Sequence, residues 1–440
     1  MRIANLQKKE YCFSWLGKED AFNQANSPTD KYLMPQQNKS LNWNNTENIY
    51  IEGDNTDALK LLKKDFEGKI RAIYIDPPYN TKKDFIYKDK YKKSEWCSMI
   101  YKSLLIGKEL LSEDGIIFIS IDDNEVHNMK NICDEVFGSE NFVTQFIYEK
   151  TQHFGRQKLN AYSNAEYVLC YAKCLIARKT KELLVEKICT EFEDAPLYNA
   201  SNNLTILNFP PEAVSFKIKD GIYTKTDSKD YELLNPVEIK NGLNKNNFSI
   251  RFKSRWSQKK VLEEIKKGTG FLIKTKSFAI RAVYGKNKIS KIAPKQIIFT
   301  NKKNVYCTYN RFDRAVTTSE TGKKDFESIM NEYTFSYPKP VSLISYLLSL
   351  IYDYKKNKFA DDFYVLDFFS GSATTAQAVL ELNLSDNGNR KFIMVQKPES
   401  YEFSNNKQFE TICDIGEERI RRFINNSKDS NFGFKVYKVV

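Results

Sequence analysis

The 440-residue sequence has only two histidines, and its eight cysteines form no CxxC pair and no cysteine/histidine cluster at metal-ligand spacing. No metal is expected, and the scattered thiols suit a reducing compartment better than a disulfide framework. No run approaches the roughly 18 apolar residues of a membrane span, and Met1 to Phe13 is polar and charged without an apolar signal region. A cytoplasmic protein with no membrane association is expected. The sequence also lacks the lysine of a phosphate-binding loop and the spaced glycines of a dinucleotide fingerprint, so ATP and NAD are poor fits.

Lysine and arginine are abundant: 68 against 56 acids gives a net charge of +12 and points first to a polyanionic partner. At about one domain per 100–200 residues, the length predicts two or three domains. From Asn48 onward, strand-like apolar runs alternate with helix-like segments, the pattern of a parallel sheet covered by helices. Strands are predicted at Asn48 to Ile51, Ile70 to Ile75, Gly115 to Ile121, Phe142 to Glu149 and Tyr167 to Ala172. Helices are predicted at Asp57 to Phe66, Glu95 to Leu111 and Asn124 to Phe137. From Cys174 to about Asn331 the alternation gives way to mixed-polarity segments rich in Lys, Asn and aromatics, which marks an inserted domain. The α/β pattern then returns with helices at Val341 to Tyr352, Ser372 to Leu382 and Thr411 to Ile424, and strands at Tyr364 to Phe368 and Phe392 to Gln396. The expected division is an arm over 1–45, α/β halves over 46–175 and 331–440, and the insertion over 176–330.

The sharpest local signal is Ile73-Tyr74-Ile75-Asp76-Pro77-Pro78-Tyr79-Asn80, an apolar strand stopped by a diproline. In open parallel sheets, ligands bind at this end of the strands. An acid, a stiff turn and an aromatic suit methylation of an exocyclic base amine, whose lone pair is delocalised into the ring. Asp76 and the Pro77 carbonyl would accept the amine hydrogens and turn the lone pair outward, while Tyr79 would stack on a flipped base.

A second signal is Asp367-Phe368-Phe369-Ser370-Gly371-Ser372-Ala373-Thr374-Thr375, a small-residue turn from strand to helix where backbone can close on a ligand at a helix N-terminus. A third is Tyr337-Pro338-Lys339-Pro340, opening an apolar helix.

Together these motifs resemble the β-class amino-methyltransferases of DNA, in which the catalytic half precedes the cofactor half and target recognition lies between them. The likeness is closest to the modification subunit of type III restriction-modification systems, through Asn48 to Leu62, Ile75 to Thr81, Phe118 to Glu125, Arg255 to Ser257, Asp367 to Val379 and Asp414 to Arg421. The resemblance implies a Rossmann-like α/β methyltransferase sheet, mostly parallel with an antiparallel strand, and an inserted target-recognition domain. It implies S-adenosylmethionine as cofactor, double-stranded DNA as substrate, a homodimer, and a separate restriction subunit with helicase and nuclease activity.

By the same resemblance, Asp76, Pro77, Pro78 and Tyr79 are catalytic. Asp54, Asp76, Lys339, Pro340, Asp367, Phe368, Phe369, Gly371, Ser372, Thr374 and Gln396 hold the cofactor, with Lys339-Pro340 closing over its methionine end. Asp54 equally reads as a helix N-cap, and the two roles are compatible. Asn80, His153, Arg156 and Arg255 are candidate DNA contacts, Trp256 reads as core, and His127 as structural. The chain departs from the family at Gln396, where an acid usually clamps the cofactor ribose, leaving that contact to Gln396 or Glu399. No Pro-Cys pair exists for cytosine C5 chemistry. Adenine N6 is the expected target, with cytosine N4 methylation and a catalytically inactive DNA-specificity subunit as alternatives.

Overall fold

The structure, a computed structural model, describes residues 12–82, 88–153, 161–175, 182–189, 194–283, 290–300, 315–331, 335, 337–400, 409–427 and 431–440. The chain divides into two compact units, Met1–Glu186 with Ala293–Val440, and Lys187–Ile292.

One ten-stranded sheet organises the larger unit. In chain order its strands are β1 (Leu33–Pro35), β2 (Ile49–Glu52), β3 (Ile70–Ile75), β4 (Leu111–Ile121), β5 (Phe142–Glu149), β6 (Ala165–Ala172), β7 (Ile297–Ile298), β8 (Tyr364–Asp367), β9 (Lys391–Gln396) and β10 (Lys435–Val439). Across the sheet the order is β1-β10-β2-β9-β8-β3-β4-β6-β5-β7. Every pairing from β10 to β4 is parallel, whereas β6 opposes both its neighbours and β1 opposes β10.

The strands are apolar almost throughout because helices cover both faces. Side chains alternate along each strand. Ile51, Ile73, Ile75, Ile117, Ile119 and Ile393 therefore face one buried cluster, formed with α1 (Lys18–Asn26), α2 (Asn55–Phe66), α3 (Lys93–Leu110) and α4 (Val126–Phe137). Their neighbours Tyr50, Ala72, Tyr74, Ile116, Phe118 and Phe392 face a second cluster. In the order of the chain, α5 (Ser319–Met330), α6 (Val341–Ser349), α7 (Thr374–Asp386) and α8 (Ile412–Ser427) follow, and the last three build that second cluster.

The predicted core elements are all present, with shifts at their ends. α4 starts at Val126 because Asp122 accepts from the Asn124 backbone and side chain and holds a turn there. α6 stops at Ser349, since Tyr352–Asp353 pairs with Lys358–Phe359 in a hairpin. Among the short elements that were not anticipated are α1, β1 and β10. Their apolar content is too small to stand out, yet Val436 and Phe434 are fully buried once β10 pairs with β2.

The Lys187–Ile292 unit is rich in strands; its described residues form a seven-stranded, a three-stranded and a two-stranded sheet and one helix, Gln258–Lys266. Its mixed polarity is the period-two signature of half-exposed strands. In Phe248–Lys253 the side chains of Phe248, Ile250 and Phe252 are buried while their neighbours are not. Trp256 packs edge-on against Phe271 at 6.1 Å, within this unit's core. The segment from Ala293 to Met330, which the sequence reading put in the insertion, groups with the larger unit. There β7 pairs with β5, and Ser319 N donates to Lys150 O at 2.8 Å.

Ile117, on a central strand and fully buried, tests the packing. Ile117→Ala is expected to cost about 2–5 kcal/mol in urea unfolding, and a loss well below this would mean a loosely packed face.

Candidate active site

Strands β3 and β8 are parallel neighbours, with Leu366 paired to Ile73, so both chains leave the sheet at the same edge. Asp367 ends β8 and Asp76 follows the last residue of β3. Both carboxylates line one cavity of about 450 Å³, together with Asp54, Phe369, Gly371, Ser372, Thr374 and Gln396.

Side chains behind the diproline turn hold it in place. Trp96, fully buried on α3, donates its indole N–H to the Pro78 carbonyl at 2.7 Å. Asn80 adopts a left-handed conformation (φ 57°), which asparagine tolerates better than most residues. Its backbone N–H donates to Asp89 (2.8 Å), its amide to Glu125 (2.8 Å), and its side-chain oxygen accepts from Tyr91 N (2.9 Å). Asn80 was expected to touch DNA. It is instead buried with both ends of its amide engaged, so it shapes the loop.

A buried lysine joins the turn to a second carboxylate. The Lys339 ammonium lies 3.2 Å from Asp76 Oδ1 and 3.2 Å from Glu166 Oε2, and 4.7 Å from the centre of the Tyr79 ring. Lys150 approaches the other Glu166 oxygen at 3.5 Å, and the Tyr79 hydroxyl donates to Glu166 at 3.4 Å. Burial pushes the Asp76 carboxyl above its ordinary pKa, and the Lys339 ammonium pulls it part of the way back. Burial acts the same way on Glu166, but two lysines outweigh it and leave that carboxyl below its ordinary value. Lys339, although out of water, is held above the usual lysine range by its two carboxylates.

On the far side of this pair lies a second cavity of about 340 Å³, lined by Asp76, Pro77, Tyr79, Asp122, Lys150, Glu166, Glu320 and Lys339 among others. The two cavities share Asp76, Tyr337 and Lys339. Lys339 was expected over the cofactor's methionine end; it sits at the junction of the two cavities, paired with Asp76.

The small-residue turn is braced with comparable density. Gly371 has φ +50°, and an added Cβ would come within 3.3 Å of the Phe335 ring. Its N–H donates to Gln396 Oε1 at 2.7 Å, and Gln396 Nε2 donates to the Lys397 carbonyl at 3.1 Å. The residue in the ribose-acid position thus holds the glycine turn while still lining the cavity. Asp367 accepts from Phe369 N (3.0 Å) and from the Thr375 hydroxyl (2.6 Å). Asp54 caps α2, accepting from Thr56 N at 2.9 Å, and lines the cavity as well, so both of its readings fit the geometry.

Two other expected cofactor contacts do not reach the cavity lining. Phe368 alternates inward to the core, its ring beneath Gly107 of α3, and Pro340 is buried as the N-cap of α6, leaving Pro338 to face the cavity. His153 is exposed and outside both cavity linings; Arg255 is exposed in the Lys187–Ile292 unit; Arg156 lies outside the described residues. Glu166 and Lys150 were not singled out individually. Glu166 sits in an apolar strand, where a charged residue in a continuous buried run is the signal that could have marked it. Behind the glycine turn, Glu52, Asp414 and Glu417 group around Lys39, whose ammonium lies 2.6, 3.2 and 3.9 Å from them and supplies the cation that such a cluster needs.

Burial pushes the Asp367 carboxyl up to about 7, against the hydrogen bonds from Thr375 and Phe369. A raised folded-state pKa favours the fold while the group is protonated, and that contribution is lost as pH rises from about 4 through about 7. Asp367→Asn is therefore expected to raise the melting temperature at pH 8 more than at pH 5. An equal change at both values would contradict it.

Comparison with known proteins agrees with this geometry. The family model described as DNA methylase, covering N6 and N4 enzymes, matches residues 70–407. The EcoPI Mod subunit of a type III restriction-modification enzyme from Escherichia phage P1 is 30% identical over 99% of this chain and 72% of its own length. The StyLTI Mod subunit from Salmonella typhimurium is 28% identical over 97% of the chain, which spans 66% of that subunit, just under two thirds. The type II methyltransferase M.KpnI from Klebsiella pneumoniae is 26% identical over 90% of this chain and 91% of its own. With the family model covering most of its length, and with 30% identity to a Mod subunit across 99% of this chain and 72% of that subunit, this chain belongs to the DNA methylase family.

Proposed function

We propose that the chain transfers a methyl group from S-adenosylmethionine to the N6 amine of an adenine flipped out of duplex DNA. The observation that carries this reading is the meeting of two cavities at Asp76 and Lys339, one bounded by the glycine turn and the other by the diproline turn. The first has a volume in the range of small-molecule sites, with acids at Asp54 and Glu399, aromatic walls at Tyr91 and Phe369, and a helix N-terminus at Thr374. That set suits a ligand carrying an adenosine, a sulfonium and an amino-acid tail.

When bound, S-adenosylmethionine supplies a methyl group on a positively charged sulfur for a single displacement. The residues of the chain do the rest. Asp76 and the Pro77 carbonyl accept the two amine hydrogens and aim the nitrogen lone pair at the first cavity. Tyr79, braced by Glu166 and Lys339, stacks on the base in the second. A nitrogen that gains a methyl group must shed a proton, and the Asp76 carboxylate is the acceptor at that point. Lys339 favours the ionised form of the carboxylate, the form both tasks need.

The Lys187–Ile292 unit is assigned target recognition, with exposed Arg255 as a phosphate contact, and exposed His153 is a further candidate DNA contact. The Mod likeness further suggests a homodimer working with a restriction subunit in host DNA modification.

Asp76→Ala is expected to abolish N6-methyladenine formation, read by nucleoside mass spectrometry, while calorimetry still detects S-adenosylhomocysteine binding. Unchanged methylation, or N4-methylcytosine as the only product of the wild type, would overturn the assignment. Lys339→Met removes the charge that offsets burial of Asp76. The acidic limb of kcat against pH is then expected to move to higher pH by about one unit or more, and a limb that stays in place would sink the role given to Lys339.

A further inference from the structure

Arg419, on α8, is completely buried. Its Nη1 donates to the Ser372 carbonyl (3.1 Å), the Ser372 hydroxyl (3.0 Å) and the Thr374 hydroxyl (2.7 Å), and its Nε donates to Gln377 Oε1 (2.9 Å). The Phe326 ring lies 5.2 Å from the guanidinium carbon. Among the described residues Nη2 has no hydrogen-bond partner, and no carboxylate lies within ion-pair distance of the group. Burial pushes its pKa down to about 9, which leaves it charged at neutral pH. A guanidinium taken out of water, with only neutral hydrogen-bond acceptors and with Glu381 and Asp325 acting on it from beyond ion-pair distance, is stabilised by a further anion that comes close.

The place of this charge indicates which anion. All four bonds grip the turn that starts α7, and two of the gripped residues, Ser372 and Thr374, line the first cavity. The positive end of the α7 dipole lies at the same corner, with hydroxyls on either side of the turn's last residue. Lys339, the buried lysine of this cavity, is already committed to two carboxylates. Arg421 and Arg422 on the same helix differ, because both pair with Glu418.

We infer that Arg419 is a positioning residue for the carboxylate of the methyl donor's amino-acid tail, holding it at the N-terminus of α7 through Ser372 and Thr374. This rests on the S-adenosylmethionine reading above. The charge acts from behind the turn and out of water, where it is weakly screened.

The test compares two ligands by calorimetry on the full chain: S-adenosylhomocysteine, which carries the amino-acid tail, and 5′-methylthioadenosine, which lacks it. Arg419→Met is expected to weaken S-adenosylhomocysteine by about tenfold or more, the equivalent of one unit in log Kd, and methylthioadenosine by less than about twofold. Arg419→Lys keeps the charge and is expected to restore most of the S-adenosylhomocysteine affinity. Equal weakening of both ligands would reduce Arg419 to a scaffold residue and overturn the inference, as would no weakening at all. Should Arg419→Met fail to fold, Thr374→Val, which removes one of the gripped hydroxyls, must show the same tail-dependent loss in smaller measure, and an equal loss on both ligands refutes it. A wild-type chain that binds neither ligand would defeat the cofactor reading itself, a result separate from any behaviour of the variants.

Discussion

The parallel pairing of β3 with β8 is the constraint from which the site follows. The two motifs are almost 300 residues apart in the chain, and neither can act alone, since a base amine and a methyl donor must be brought within bonding distance. With Ile73 opposite Leu366, the strands end side by side, and the Asp76 turn and the Gly371 turn open on one cavity. A parallel sheet reads only neighbours and direction, so the order in which the two turns occur along the chain does not matter to this geometry.

Two buried cations stabilise what the strands bring together, and they do so in opposite ways. Lys339 has two carboxylates around it, Asp76 and Glu166, both at 3.2 Å, and it opposes the upward push of burial on the Asp76 carboxyl. Arg419 has none within ion-pair distance among the described residues and is held by hydroxyl, carbonyl and amide oxygens. One charge is in contact with carboxylates; the other feels Glu381 and Asp325 only from beyond ion-pair distance and grips the glycine turn. The surrounding hydrogen bonds, from Trp96 to the diproline turn and from Gly371 to Gln396, fix the loops so that little ordering remains to be done when a ligand arrives.

Much of this was legible in the sequence because it rests on local rules. Continuous apolar runs bounded by helical segments marked β3, β4 and β8, the diproline marked the end of β3, and small residues marked the turn into α7. Period-two burial also explains the mixed polarity of the Lys187–Ile292 unit, although its strands are too short to be read individually. Short edge elements such as β1 and β10 escaped, since their stability comes from pairing with strands distant in the chain rather than from their own composition.

The order of residues by itself determined the sheet, the two loops and the kind of chemistry, because strand periodicity, proline and glycine act over a few neighbouring positions. Tertiary structure alone decided which side chains those loops meet. Lys339 joins Asp76 to Glu166, Arg419 passes under Ser372, Asn80 turns inward, and Phe368 goes to the core while Phe369 faces the cavity. These outcomes depend on distances between segments hundreds of residues apart and on how much water each group loses on folding, quantities that no local pattern carries.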